Sequence, residues 1–264
     1  MELRTRHLTG YRTPRTIEHR TRRVRHNSRR RTLAVLEKWQ VTPRMLRIVL
    51  GGDAFDDFTT PSADDHIKLY VPGDRGELEG RDFTPRHFDS EAKKLTIDVA
   101  AHPAGRAMHW AKQAQIGDVV EISGPRGSLM ISDSFDWWLL IGDETALPSI
   151  GRRIEALAEG VRAITLVAVT GPAEEQVFNT RADQQAIWVH RAPDLANSAQ
   201  PMLDALKRIE LPPGEGFIWI AAEAKVARAA RDHIVNDRRH PVQWLRASGY
   251  WIEGKADAYE RLES

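Results

Sequence analysis

Ser132-Asp133-Ser134-Phe135-Asp136-Trp137-Trp138-Leu139-Leu140-Ile141-Gly142-Asp143-Glu144-Thr145-Ala146-Leu147-Pro148 is where the sequence changes character. A polar turn runs into an unbroken apolar stretch, Trp137–Ile141, then into a loop opening a helix with Leu147, Ile150, Ile154 and Leu157 on one face. A strand apolar on both sides is one covered on both sides, as in a parallel sheet flanked by helices. The series continues with strand Val161–Val169, strand Ala186–Val189, a helix around Met202–Ile209, strand Phe217–Ala221 and helix Ala224–Asn236. Strands alternating with helices predict a doubly wound parallel α/β domain, here over residues 133–264.

Upstream the period is two. Leu46, Ile48 and Leu50 alternate with other residues, as do Ile67, Leu69 and Val71, and Leu95, Ile97 and Val99. Each run turns one apolar face inward, and Gly51-Gly52, Pro72-Gly73-Asp74 and Gly124-Pro125-Arg126-Gly127 punctuate them. That pattern predicts a small antiparallel β-barrel or sandwich over 32–132. One Ala-rich helix, 105–115, interrupts it before a strand at Val119–Ile122.

Composition narrows the chemistry. The 264 residues are 41% hydrophobic and 28% charged, an ordinary globular balance. There is no cysteine, hence no disulfide, thiol nucleophile or Cys-held iron–sulfur cluster. No apolar run approaches the roughly 20 residues of a membrane span, and no secretory h-region follows the N-terminal charges, so the cytoplasm is the expected compartment. The net charge of +1 hides an asymmetry: residues 1–31 hold eleven Arg against Glu2 and Glu18, or +9, and the remainder carries −8. Residues 1–31 therefore read as a separate basic arm. Such an arm can bind nucleic acid, but with few apolar residues it reads better as a mobile terminus or one lying against the acidic body.

Three motifs bear on chemistry. Arg81-Asp82-Phe83-Thr84-Pro85-Arg86 is a strand end offering guanidinium groups, an aromatic face and a hydroxyl, which suits a flat anionic ligand as well as an ordinary strand. His102-Pro103-Ala104-Gly105-Arg106-Ala107 leads into a helix whose first amides favour a phosphate. Gly142–Pro148 follows the first α/β strand, where such sheets place ligands. Its Asp143 and Glu144 are unlike a phosphate cradle, and Thr145 with Pro148 could equally cap a helix. The sequence offers no convincing catalytic triad and no dense His/carboxylate metal site.

The order of these pieces, with Gly117-Asp118, Gly124–Ser128 and Gly249-Tyr250-Trp251 before Gly254, closely resembles the siderophore-interacting protein family over residues 32–255. That family is a branch of the ferredoxin-reductase-like flavoproteins. The resemblance implies FAD as cofactor, NADPH or NADH as donor with ferredoxin as another source of electrons, and a ferric siderophore as acceptor. By the same resemblance Arg81 would contact the FAD pyrophosphate, Phe83 would lie against the isoalloxazine, and Thr84 would face the ring near its hydride-accepting nitrogen. Thr84 is the one catalytic residue so implied. His102, Gly105, Arg106, Ala107, Asp143, Thr145 and Trp251 complete the implied cofactor contacts, and Lys255 is a docking cation for an anionic chelate or a solvated tail lysine. Phe83 stands where Tyr is commoner, and Arg106 where Pro is usual. Two rival readings stay open: another flavin oxidoreductase of this fold with a different acceptor, and a nucleic-acid binder using the basic arm. Bound flavin against steep salt-dependent binding separates the latter.

Overall fold

The computed structural model describes residues 21–73, 76–101, 105–255 and 258–262. Its first half contains β1 (Thr21–Arg25), β2 (Arg30–Thr42), β3 (Met45–Gly51), β4 (Ile67–Pro72), β5 (Leu78–Phe83), β6 (Pro85–Asp89), β7 (Lys94–Ala100), helix α1 (Arg106–Gln113), β8 (Val119–Ser123) and β9 (Gly127–Ile131). Seven of these strands form an antiparallel sheet in the order β5-β4-β8-β2-β3-β7-β6. Its two edge strands, β5 and β6, are consecutive in the chain and separated by Thr84 alone. The sheet must therefore curl until the end of β5 reaches the start of β6, and Thr84 sits at that seam. The alternating residues of β3, β4 and β7 all enter one buried cluster, joined by Leu33, Val35, Val120 and Ile122, and Met108 and Ala111 of α1 plug it.

The second half runs β10 (Trp137–Asp143), α2 (Leu147–Ala156), β11 (Arg162–Val169), β12 (Asp183–His190), α3 (Gln200–Leu206), β13 (Gly216–Glu223), α4 (Ala224–Asp232), β14 (Leu245–Trp251) and β15 (Glu260–Arg261). The sheet order is β12-β11-β10-β13-β14-β15, parallel except for β15. All seven residues of β10 are buried, and its alternation divides two cores. Trp137, Leu139 and Ile141 pack with residues of α3 and α4; Trp138 and Leu140 pack with α2 and with Met45 and Ile131 of the first half. The doubly wound fold is thus confirmed, one face also carrying the β-barrel. A Cβ on Gly142 would lie 2.9 Å from the Ala221 carbonyl and 2.5 Å from Ala146 Cβ, so only glycine lets β13 and α2 close on the end of β10.

One sequence reading is narrowed and one corrected. Of the two placements read for the basic arm, residues 21–31 take the one against the body: β1 pairs antiparallel with β9, and β2 begins at Arg30. Arg31 is 3% exposed, its guanidinium donating to the carbonyls of Ala54 (2.9 Å) and Arg29 (3.1 Å) and to Asp57 (2.9 Å). Charge counting cannot register such carbonyl and strand partners. Residues 1–20 lie outside the described residues. The last helix stops being α-helical at Asp232 and finishes in a π-turn, His233–Asp237.

Candidate functional site

The chain begins the second sheet at its centre with β10, winds outward through β11 and β12, then crosses to β13. The crevice at such a switch point, outside the strand carboxyl ends, is where these sheets hold ligands. Here it opens onto the barrel seam as a cleft of about 240 Å³. Arg81, Phe83 and Thr84 line it from the barrel, Gly105, Arg106 and Ala107 from the start of α1, and Thr145, Trp251 and Lys255 from the α/β side. These nine residues, scattered over 175 positions of sequence, meet around one space.

The wall nearest α1 carries two guanidiniums. Arg81 donates to Glu79 and to the Gly80 carbonyl (2.9 Å), and the Arg106 guanidinium lies 2.9 Å from the same Glu79. Glu79 thus orients both guanidiniums at the cleft they line. Gly105, the N-cap of α1, is extended and supplies no side-chain cap, so the first-turn amides retain donor capacity beside those arginines. Phe83 packs partly against the barrel core and shows its remaining face to the cleft. Thr84 is 8% exposed, its Oγ1 2.9 Å from Ser149 Oγ. An uncapped helix start flanked by guanidiniums, a flat aromatic and a buried hydroxyl together fit a dinucleotide with a flat ring, as FAD is. His102 lies outside the described residues.

Asp143 does not reach the cleft wall. It is 2% exposed and accepts from the amide and hydroxyl of Thr145 (2.9 and 2.5 Å), the Glu223 amide (2.9 Å) and the Trp251 indole (2.9 Å). Its carboxylate pins the β10 loop, the β13 end and β14 together, and so places Thr145 and Trp251. Burial and the adjacent Asp143 raise the pKa of the cleft-lining Glu144, opposed by Arg191, whose guanidinium donates to it at 2.6 Å. Arg86, the second guanidinium of the strand-end motif, turns away to grip Glu155 of α2 with two 2.7 Å bonds.

Sequence reasoning gave no role to four further residues of this region. Arg246 of β14 pairs with Asp64 at 2.6 Å, both side chains largely buried. Tyr250 lines the cleft, with its hydroxyl 3.3 Å from Ser149 Oγ. Burial, then the charge of Asp64, push its phenol above the usual range. Asp64 and Arg246 lie in unremarkable local sequence, and only the tertiary approach of two domains brings them together. Tyr250 stood within a noted motif, but no spacing distinguishes it from a core aromatic.

The siderophore-interacting FAD-binding domain model matches residues 34–80 and 76–129, and the siderophore-interacting protein model matches 135–254. The NADPH-dependent ferric-chelate reductase of Escherichia coli K12 is 32% identical over 250 residues, covering 87% of this chain and 95% of its own. The ferric vibriobactin reductase of Vibrio cholerae is 25% identical over 247 residues, covering 85% and 90%. The crystal structure of a siderophore utilization protein from T. fusca superposes with a TM-score of 0.85 at 30% identity, covering 90% of this chain and 98% of that one.

Proposed function

The chain belongs to the siderophore-interacting protein family, and from that premise we propose that it is an FAD-dependent ferric-siderophore reductase. It draws on NAD(P)H and releases iron as Fe(II). The observation that carries this reading is the convergence of Arg81, Phe83, Thr84, the α1 start, Thr145, Trp251 and Lys255 on one cleft between barrel and parallel sheet.

Bound FAD supplies the conversion between a two-electron hydride donor and a one-electron acceptor, so one nicotinamide reduces two ferric chelates. Arg81, Arg106 and the amides at Gly105–Ala107 would hold the pyrophosphate by charge-assisted bonds. Phe83 would present its face to the flavin ring, and the Thr84 hydroxyl would donate to a ring nitrogen. Thr145 and Trp251, fixed through Asp143, would shape the nicotinamide side. Lys255, exposed at the rim, would meet the anionic groups of the chelate. No protein acid or nucleophile is required. Hard oxygen ligands hold Fe(III) far better than Fe(II), so a single electron loosens the metal and spares the carrier. We place the reaction in the cytoplasm, alongside the reduced nicotinamide pool; among the described residues no helix is long and apolar enough to cross a membrane.

The test is direct. Purified protein, loaded with FAD where necessary, is reduced anaerobically with NADPH, NADH or reduced ferredoxin and then mixed with a ferric siderophore, Fe(II) being trapped by a chelating dye. Bleaching by a nicotinamide followed by reoxidation with two Fe(II) per flavin is expected. Protein that takes up no FAD, or whose reduced flavin ignores ferric chelates, overturns the reading.

A further inference from the structure

Behind Thr84 stands a line of hydroxyl groups that the reaction as described does not use. Thr84 Oγ1 is 2.9 Å from Ser149 Oγ, which is 3.3 Å from the Tyr250 hydroxyl. The three come from the barrel seam, the first turn of α2 and strand β14, so the line exists only when the two domains are docked. Ser149 is 2% exposed, and burial at this junction limits competition from water. Thr84 and Tyr250 also line the cleft, and Ser149 stands behind them.

The line has a direction. Each hydroxyl owns one proton and can accept others. A phenol is the better donor and, with its lone pair drawn into the ring, the poorer acceptor of the pair it makes with an aliphatic alcohol. Burial and the charge of Asp64 keep Tyr250 protonated, so it remains a donor. Either partner of each pair can donate at these distances, and the phenol's stronger donation favours the order in which Tyr250 donates to Ser149 and Ser149 to Thr84. Thr84, already accepting from the buried side, has its own proton left for the cleft.

We propose that Ser149 is a positioning residue of the reductase: hydrogen-bonded to Thr84, with Tyr250 behind it, it turns the Thr84 proton toward the acceptor held in the cleft. On the reading above, on which this inference rests, that acceptor is a ring nitrogen of FAD. Ser149 itself touches neither cofactor nor substrate.

Wild type, Ser149→Ala, Ser149→Thr, Thr84→Val and the double variant Thr84→Val/Ser149→Ala are compared by FAD titration of the apoprotein, by the visible spectrum of bound flavin and by stopped-flow reduction with NADPH. Ser149→Ala is expected to hold FAD within about threefold of wild-type affinity, to shift the flavin absorption band, and to lower the limiting reduction rate about tenfold. The half-saturating NADPH concentration stays unchanged. Ser149→Thr, which keeps the hydroxyl, restores spectrum and rate, and the double variant is no slower than Thr84→Val alone, because both changes cut one line. A wild-type spectrum and rate in Ser149→Ala overturns the proposal, as do additive losses in the double variant. Loss of FAD or of the fold in both Ser149 variants also overturns it, making the residue a packing element. Failure of the flavin reading itself shows earlier, as wild-type protein that binds no FAD.

Discussion

Arg81 shares its carboxylate partner, Glu79, with Arg106, so the pair arrives at the cleft oriented. A diphosphate beside the pair would accept charge-assisted hydrogen bonds from both guanidiniums. Arg81→Ala should therefore forfeit about 1.5–3 kcal/mol of charge-assisted bonding, and FAD should bind at least about tenfold more weakly in a fluorescence titration. Unaltered affinity would place the pyrophosphate elsewhere. Lys255 is the cationic counterpart at the rim, exposed and adjoining the same space. Lys255→Glu should raise KM for an anionic ferric chelate more than for a neutral one, the gap shrinking with added salt, and should leave flavin reduction by NADPH untouched. Equal losses with both chelates would return Lys255 to the solvated surface. Residue types were legible at both positions; the sharing of Glu79 was not, because it depends on how β5 and α1 face one another.

At the scale of elements, strand β2 opens on a buried arginine. Arg31 and Arg29 hold the Asp57 carboxyl well below the usual carboxylate range. Arg31, a residue 3% exposed, also donates to three backbone carbonyls, those of Ala54, Arg29 and Gly124. Arg31→Met keeps the bulk and orphans those acceptors, which should cost about 2–3 kcal/mol and lower Tm by about 5–10 °C in a calorimetric scan. A change under 1 °C would show that this end of β2 is free after all. The segment after the last helix carries a pH signal. His240 packs between Trp137 and Trp244, and burial holds its pKa below the ordinary value, the Trp244 carbonyl pulling the other way. The unfolded chain takes up that proton near pH 6.5 and the folded chain only lower, so this contribution to stability is complete above about pH 6.5 and is lost as pH falls through the window beneath it. Thermal scans between pH 7 and 5 should show a shallower decline for His240→Gln than for wild type. Parallel declines would assign the loss to other groups.

Across the whole molecule, the cleft is only as well made as the junction that forms it. Glu174, 8% exposed in the turn after β11, accepts from the Thr42 hydroxyl (2.5 Å) and the Arg44 amide (3.2 Å) across that junction. Glu174→Ala orphans both donors at a cost of about 1–3 kcal/mol, and because each domain supplies half of the site, FAD affinity should fall together with Tm. Lys94→Ala, which breaks an exposed pair with Glu37, should move neither by more than about 0.5 kcal/mol. A fall in Tm with FAD binding intact would show that the cleft tolerates a loosened junction. By itself the sequence determined the two architectures. Its period of two from Leu46 to Val99 and its doubly apolar strand at Trp137–Ile141 are local consequences of how many faces a strand must bury, and the ordered motifs marked most of the cleft. Only the tertiary structure decided that Asp143 serves the interior, that Arg86 and Arg31 spend their charge within the protein, and that Thr84, Ser149 and Tyr250 form one line. A side chain's partners across two domains depend on the docked geometry of segments far apart in the chain, and no local pattern encodes that distance.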